Sequence, residues 1–275
     1  MPETQASGGA SDILRRIVDT KRREVQALLP REAELRKAQE RAPEPRDLAQ
    51  ALRQVDEVAL MAEVKRRSPG AGPIRPDLVP AEIAVGYERA GAAAVSVLTD
   101  TDYFGGSIAD LEEVRAELGI PVLRKDFVIH EVQLLEARAI GADGVLLIAR
   151  ILDDDRMQDL HSRALELGLT PLVEVHGREE VARALEIGAG VIGVNNRNLR
   201  TFRSSLEVTL EILPLIPSHV TVVSESGIQT RDDVLRLGAA GVHAVLVGES
   251  LLRARSPEAA TEELAECSRS DRQAG

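Results

Sequence analysis

The sequence contains few of the residues that stabilise small secreted proteins. It has one cysteine, Cys267, no tryptophan and only 2% aromatic residues in a chain of 275. A single cysteine excludes a disulfide framework and a cysteine-based metal cluster. Because 44% of the residues are hydrophobic, the core must consist mainly of Ala, Val, Leu and Ile. Such a core is typical of a buried parallel sheet that helices surround.

Other absences narrow the class of function. The net charge of −11 argues against nucleic acid or an anionic membrane as a partner. No apolar run approaches ~18 residues, and the N-terminus lacks the pattern of a signal peptide, so we expect a cytoplasmic protein. The five histidines lack metal-ligand spacing, and neither a P-loop nor a dinucleotide-binding motif is present. We therefore predict no metal and no cofactor.

The first 55 residues differ from the rest of the chain. They carry 11 basic and 9 acidic residues, a balance of +2, whereas the remainder carries −13. Apolar residues recur at helical spacing from Ile13 to Leu29, and one amphipathic helix cannot form a core by itself. We predict a helical extension over residues 1–55, packed on a catalytic domain over residues 56–275.

From Val58 onward, a helix followed by a short apolar run repeats every 21 to 33 residues or so, about the size of one strand–helix unit. The eight apolar runs end near Lys65, Leu98, Lys125, Ile148, Glu174, Asn195, Glu225 and Gly248. Eight such units predict an α/β fold, a (β/α)8 TIM barrel with an N-terminal helical extension. A doubly wound open sheet is the alternative, although it usually has fewer strands.

Polar residues stand where each of several strands is expected to end. Side chains of a strand alternate between two faces, so Glu63 and Lys65 share one face. Lys125, Glu174 and Asn195 occupy the same place in later runs. If these faces point inward, two lysines and two glutamates meet at one end of the barrel, where active sites of this fold lie. For any one of these residues, a charge exposed in a loop is the alternative.

The last two units contain the residues of an anion site. The stretches SESGI and VGES place Gly227 and Gly248 where backbone N–H groups can surround a phosphate, before a short helix that starts near Glu249. In barrels of this class, phosphate commonly binds at these two loops. The alternative is that both glycines only form turns.

Seven stretches, taken in order, resemble the indole-3-glycerol phosphate synthase family of tryptophan biosynthesis. They are EVKRRSP, TDTDYFGGS, LRKDF, LVEVH, GVNNRNL, SESGI and VGES. The resemblance implies a (β/α)8 barrel that closes the indole ring of 1-(2-carboxyphenylamino)-1-deoxyribulose 5-phosphate with loss of CO2 and water. It also implies a small phosphorylated substrate, no cofactor, and association with other enzymes of tryptophan biosynthesis as an expectation.

The resemblance further implies roles for single residues. Lys125 corresponds to the general acid, Glu174 to its acid/base partner, and Glu63 with Lys65 to the pair beside them. Which lysine assists the departure of hydroxide stays open. The other catalytic positions are Asn195 and Ser226. The substrate-binding positions are Ser68, Arg197, Phe104, Phe127, Leu147 and Glu225. The phosphate-binding positions are Gly227, Gly248, Glu249 and Ser250.

The pKa of Lys125 depends on opposing effects. Burial beside Phe127 would lower this pKa towards the working pH, and Lys65 would act in the same direction through charge repulsion. Glu63 and Glu174 would raise it. The balance between them is not predictable from the sequence.

One position departs from the family pattern. The family usually has Ser-Pro-Ser after the first strand, whereas this chain has Ser68, Pro69 and Gly70. A missing hydroxyl would weaken the hold on the substrate carboxylate. Alternatively, the loop requires glycine at this position.

Two other functions remain as hypotheses. A phosphoribosylanthranilate isomerase would keep the phosphate loops but would be expected to use a Cys/Asp pair, and Cys267 lies beyond the predicted barrel. A non-catalytic protein that binds sugar phosphates would have no use for Lys125 and Glu174 on separate strands. Turnover of the substrate would exclude the second of these.

Overall fold

The computed structural model describes residues 9–54, 56–198 and 201–270. Within these ranges, eight parallel strands form a closed barrel, because the first strand pairs with both the second and the eighth. The strands are β1 (Glu57–Val64), β2 (Ala94–Leu98), β3 (Val122–Lys125), β4 (Gly144–Ile148), β5 (Thr170–Val175), β6 (Val191–Asn195), β7 (Thr221–Glu225) and β8 (Ala244–Val247). The closed ring confirms the predicted (β/α)8 barrel and excludes the open sheet.

Helices follow the strands and cover the outside of the barrel. The α-helices of the described ranges are α1 (Gly9–Leu28), α2 (Glu32–Arg41), α3 (Leu48–Ala51), α4 (Pro80–Arg89), α5 (Ile108–Glu117), α6 (Glu131–Ala139), α7 (Asp154–Glu166), α8 (Arg178–Glu186), α9 (Glu207–Ile212), α10 (Arg231–Ala239), α11 (Glu249–Arg253) and α12 (Pro257–Leu264). Several begin at a side chain that accepts an N–H of the first turn, such as Ser107 for Asp110 and Asp153 for Arg156. These caps satisfy donors that a helix end leaves without a partner.

Two apolar layers form the core. Alternate side chains of the strands point into the barrel, and the others pack against the helices. The inward layer includes Ala59, Met61, Leu123, Leu146, Leu172, Val191, Val223, Ala244 and Leu246. Leu48 and Leu52, both 0% exposed, fill the amino-terminal end of the barrel. Gly144 permits this packing, because a Cβ there would lie 2.5 Å from Cδ2 of Leu48.

The first helix lies over the carboxyl end of the barrel. Ile13 and Ile17 line the same pocket as the residues at the strand ends. Lys21 Nζ lies 2.9 Å from carboxylate oxygens of both Asp100 and Asp126. These groups are buried, so the ion pairs fix the position of α1 on the barrel.

The predicted division into residues 1–55 and 56–275 stays a prediction. Residues 1–8, 55, 199–200 and 271–275 lie outside the described ranges. The second helix, α2, packs on α6 of the barrel. In the ranges that the structure describes, no helix is both long and apolar enough to cross a membrane.

Candidate active site

A pocket of about 840 Å³ opens at the carboxyl ends of the strands. This volume suits a small organic ligand, for which pockets of ~300–1,000 Å³ are usual. Of the sixteen predicted site residues, all except Leu147 line it. They reach it from separate strands and the loops that follow them, which is how this fold assembles a site.

Lys125 lies at the centre of a buried charge cluster. Its Nζ is 3.4 Å from Oε2 of Glu174 and donates a hydrogen bond to Oε2 of Glu225. The three residues are 9%, 6% and 2% exposed, respectively. Gly193 on β6 makes room for this arrangement, because a Cβ there would overlap Oε1 of Glu225. The closed barrel thus joins charges from β3, β5 and β7.

Glu63 and Lys65 form a second ion pair in the same pocket. Lys65 Nζ donates a hydrogen bond to Oε2 of Glu63. Both side chains point inward, as the alternation along β1 predicts. Gly248 packs directly on Glu63, since a Cβ at Gly248 would lie 2.9 Å from Cβ of Glu63. Three glutamates therefore face two lysines, which leaves one excess negative charge.

Burial and this charge imbalance shift the pKa values of the cluster. Burial raises the pKa of Glu225 to about 7, and the negative charges of Glu174 and Glu63 act in the same direction. Burial opposes the charge on Lys125, yet Glu225, Glu174 and Glu63 outweigh it and raise the pKa of Lys125. Burial also opposes ionised Glu174, but Lys125 and His176 lower its pKa. At neutral pH Lys125 is protonated, Glu174 is ionised, and Glu225 is partly protonated.

An apolar wall and a cation lie elsewhere in the pocket. The ring centroids of Phe104 and Phe127 are 6.0 Å apart, with 37° between the ring planes. Ser68 and Arg197 line the same pocket. Asn195 Oδ1 accepts the backbone N–H of Arg197 at 3.0 Å, so the end of β6 fixes where the arginine leaves the strand. The pocket can therefore hold an aromatic ring and a carboxylate.

The loop after β7 has the backbone conformation of a tight turn. Ser226 and Gly227 both have left-handed φ angles, 67° and 86°. Gly227 also packs closely on another loop, because its Cβ would lie 2.7 Å from Cβ of Ser204. Ser250 Oγ donates a hydrogen bond of 3.0 Å to the carbonyl oxygen of Ile228. This bond joins the two loops from which the sequence predicts phosphate binding.

The side chain of Glu249 is held by two arginines. Its carboxylate lies 3.4 Å from Arg197 Nη2 and 3.0 Å from Arg253 Nε. The backbone N–H groups in the first turn of α11 have no partner within the helix and can face an anion. Arg253 also lines the pocket and adds a cation to this side of it.

One predicted site residue, Leu147, does not line the pocket. It packs in the outer layer between strand and helices, whereas Leu146 and Ile148 line the pocket. Side chains alternate along β4, so the inward residue beside Ile148 is Leu146. The apolar contact that was predicted for Leu147 is therefore provided by Leu146 and Ile148.

Some pocket residues were not predicted. They are Phe202 from the loop after β6, Arg253 from α11, and the apolar residues Ile13, Leu14 and Ile17 of α1. Arg253 follows Glu249 by four residues on one helix, which is a pattern that could have indicated it. The placement of Phe202 and of α1 over the pocket leaves no periodic signal in the sequence.

The chain matches known proteins over most of its length. The model of the family "Indole-3-glycerol phosphate synthase" matches residues 14–264. An indole-3-glycerol phosphate synthase from Albidiferax ferrireducens is 48% identical over 259 residues, which cover 92% of this chain and 98% of that protein. One from Burkholderia ambifaria is 50% identical over 252 residues, which cover 90% of this chain and 96% of that protein.

Solved structures share the fold at low sequence identity. A thiamine phosphate pyrophosphorylase from Pyrococcus furiosus has a TM-score of 0.57 at 21% identity and covers 79% of this chain and 96% of its own. A tryptophan synthase α2β2 complex from Pyrococcus furiosus has a TM-score of 0.58 at 15% identity and covers 77% of this chain and 99% of its own. At such identities these likenesses support the barrel fold alone.

The remaining observations agree with the family match. Cys267 is buried beside Val58 at the start of β1, away from the pocket, so a Cys/Asp pair is not available there. Among the described residues, no group of three or more His, Cys, Asp or Glu could hold a metal ion. The family model and the relatives at about 50% identity settle the classification. The chain belongs to the indole-3-glycerol phosphate synthase family, the carboxy-lyases of tryptophan biosynthesis.

Proposed function

We propose that this chain closes the indole ring of 1-(2-carboxyphenylamino)-1-deoxyribulose 5-phosphate, with release of CO2 and water. The observation that carries the proposal is Lys125, held between Glu174 and Glu225 in a pocket with an aromatic wall and glycine-containing loops. Arg197 and Arg253 supply positive charge within an acidic chain. This combination fits a substrate with an aromatic ring and two anionic groups.

We assign the anionic groups of the substrate to different parts of the pocket. The phosphate binds the loops after β7 and β8, through backbone N–H groups of Gly227, Gly248 and Glu249 and the hydroxyl of Ser250. The carboxylate binds Arg197 and Ser68, and the ring lies against the wall of Phe104 and Phe127. Binding of the substrate's phosphate and carboxylate at these two places holds its ketone near Lys125. Such positioning uses binding energy to accelerate the reaction.

Ring closure needs a proton donor at the ketone. The ring carbon that bears the carboxylate attacks the carbonyl carbon, and Lys125 donates its proton to the carbonyl oxygen. The raised pKa of Lys125 keeps the ammonium charged until the reaction starts. An alkoxide is a much stronger base than an amine, so the proton still moves as the new bond forms. The bond to the carboxylate then breaks, and its electrons restore the aromatic ring as CO2 leaves.

Dehydration needs a second acid and a base. Glu174 accepts the proton from the carbon next to nitrogen, since its lowered pKa keeps it ionised. The acid that assists the departure of hydroxide is Lys65, paired with Glu63, or Glu225, whose pKa of about 7 leaves part of it protonated. Asn195 and Ser226 hydrogen-bond the hydroxyl group. Their places at the ends of β6 and β7 support these roles.

One assay tests the function. The purified protein is mixed with the arylamino ribulose phosphate, and indole fluorescence is followed; the chain has no tryptophan, so the background is low. We expect the signal to rise with wild type and not with Lys125→Met. No signal with folded wild type would favour a non-catalytic binding protein.

We also propose that the protein works in the cytoplasm, in association with other enzymes of tryptophan biosynthesis. The family's place in that pathway supports the proposal. Co-purification of a tagged chain from cells that express the pathway tests the association, with the tag alone as the control. Recovery of no pathway enzyme above that control would contradict it.

A further inference from the structure

His176 lies two residues beyond Glu174, between two carboxylates. Its Nε2 is 3.5 Å from Oε1 of Glu174, and its Nδ1 is 3.4 Å from Oε2 of Glu180. The imidazole is only 5% exposed. Neither ring nitrogen has a well-aligned hydrogen-bond donor or acceptor among the described residues. Both ring nitrogens therefore face carboxylate oxygens, which accept hydrogen bonds.

Glu180 is held firmly on the other side of the ring. One of its oxygens accepts a hydrogen bond of 2.8 Å from Arg150 Nε, and the other accepts the backbone N–H of His176 at 2.7 Å. Although burial opposes ionisation, the side chain of His176, Arg150 and the backbone N–H of His176 together lower the pKa of Glu180 to about 2. Glu180 therefore stays negative, and it is the outer end of a row of side chains that runs inward through His176 and Glu174 to Lys125.

Glu174 lies between His176 and Lys125 in this row. Its two oxygens face different neighbours, one towards His176 and the other towards Lys125. Of the three side chains, Glu174 and Lys125 line the pocket and His176 does not. Glu225 and Glu63 are the other carboxylates of the cluster, and both act on Lys125, while Lys65 pairs with Glu63. His176 thus contacts Glu174 from behind, where no substrate reaches.

We propose that His176 is a positioning residue that keeps Glu174 ionised and turned towards Lys125. The proposal rests on the proposed role of Glu174 as the base. Lys125 and the side chain of Asn195 hydrogen-bond Glu174, and His176 contacts its other oxygen from behind, so contacts on opposite sides fix the carboxylate plane. Because His176 does not touch substrate, its loss should change kcat and the pH dependence more than KM.

The test is the pH profile of kcat for His176→Asn, with His219→Asn as the matched control because His219 is an exposed histidine. Because His176 lowers the pKa of Glu174, the acidic limb should move up by about one pH unit in its absence. At low pH kcat should fall by roughly tenfold, while KM stays within about twofold. The control should keep the wild-type profile.

A second variant tests the proposal if His176→Asn does not fold. Glu180→Gln leaves the histidine in place but removes the carboxylate behind it, and it should move the acidic limb in the same direction by a smaller amount. If wild type turns over and Glu174→Gln does not, yet both other variants keep the wild-type profile, the role of His176 is refuted. Full activity of Glu174→Gln would instead refute the assignment of the base, and no turnover by wild type would refute the function.

Discussion

A Cβ atom added at Gly70 would lie 2.9 Å from Cδ1 of Phe202. Gly70 lies in the loop after β1 and Phe202 in the loop after β6, so the ring of one loop rests on the backbone of the other. Gly70 does not have a left-handed φ, so backbone freedom is not the reason for glycine. The contact with Phe202 instead favours the alternative that the loop requires glycine at this position.

We expect Gly70→Ser to raise KM about five-fold, because the added side chain must push Phe202 out of the pocket mouth at a cost of about 1 kcal/mol. Phe202 is 39% exposed and can swing outward, so the melting temperature should change little. Steady-state kinetics measures the effect. In a Phe202→Ala background the same change should have no effect, and tighter binding by Gly70→Ser alone would contradict the prediction.

Replacement of Lys125 should separate chemistry from binding. Lys125→Met removes the proton donor, and kcat should fall at least ~100-fold with the fold retained. Lys125→Arg should recover little, since a guanidinium holds its proton too tightly to donate it. Both variants should bind a substrate analogue within about tenfold of wild type, as isothermal titration would measure. A near-normal kcat in Lys125→Arg would show that the lysine only attracts the substrate.

Glu225 should make stability depend on pH. Its pKa is about 7 in the folded protein against 4.5 when exposed. Between these values the unfolded chain releases the proton first, so this group's contribution to stability is lost as the pH rises to 7. Glu225→Gln lacks this penalty. Relative to wild type, its free energy of unfolding should rise from pH 4.5 to 8 by up to roughly 3 kcal/mol.

Urea denaturation of both proteins at the two pH values checks the Glu225 prediction. Glu249→Gln is the matched control, because arginines lower the pKa of that glutamate despite partial burial. A group with a lowered pKa contributes stability above its unfolded pKa, so Glu249→Gln should show no such gain at pH 8. Equal differences at both pH values for Glu225→Gln would contradict the assignment.

Gly248 should matter for catalysis as well as for phosphate binding. Its added Cβ would meet both Oε2 and Cβ of Glu63, at 2.5 and 2.9 Å. Gly248→Ala should therefore displace Glu63 and lower kcat by about tenfold or more while it raises KM. Ser250→Ala removes a hydroxyl of the proposed phosphate site, together with its hydrogen bond to Ile228, and should raise KM at nearly constant kcat. An unchanged KM in both folded variants would refute the phosphate assignment.

Lys21 should be essential for stability. Its ammonium lies 2.9 Å from Asp100, Asp126 and Glu24, and it is 1% exposed. Lys21→Met would leave buried Asp100 without this counter-charge, although Asp126 keeps Arg124, at a cost of about 3–5 kcal/mol. Differential scanning calorimetry would measure the loss. Arg22→Met, which removes an exposed ion pair on the same helix, should change stability by less than about 1 kcal/mol.

The alternation of side chains along strands accounts for most of what the sequence predicted. It is a local rule with a period of two, so it correctly turned Lys125 and Glu174 inward before the barrel was known. The prediction that Leu147 lines the pocket was wrong, because it came from the resemblance and ignored that rule. The rule favours Leu146. The strand-end residues to which the rule was applied all line one pocket.

Contacts between distant loops could not be predicted in the same way. The approach of Phe202 to Gly70 depends on the conformations of two irregular loops, and no spacing in the chain encodes it. The hydrogen bond from Lys125 to Glu225 depends on the closed barrel, which brings β3 and β7 to one pocket. The direction of the pKa shift of Lys125 depends on that contact, so it could not be predicted from the sequence either.

Leu48 and Leu52 give the barrel a closed bottom. CO2 formed above Lys125 therefore has to leave on the side by which the substrate entered, beneath α1 and past the rim of loops. The gas is small and uncharged, whereas the phosphorylated product would stay bound at the proposed phosphate site, the loops after β7 and β8. If CO2 leaves before the phosphorylated product, the decarboxylation cannot reverse. The new carbon–carbon bond would then be permanent before the indole product is released.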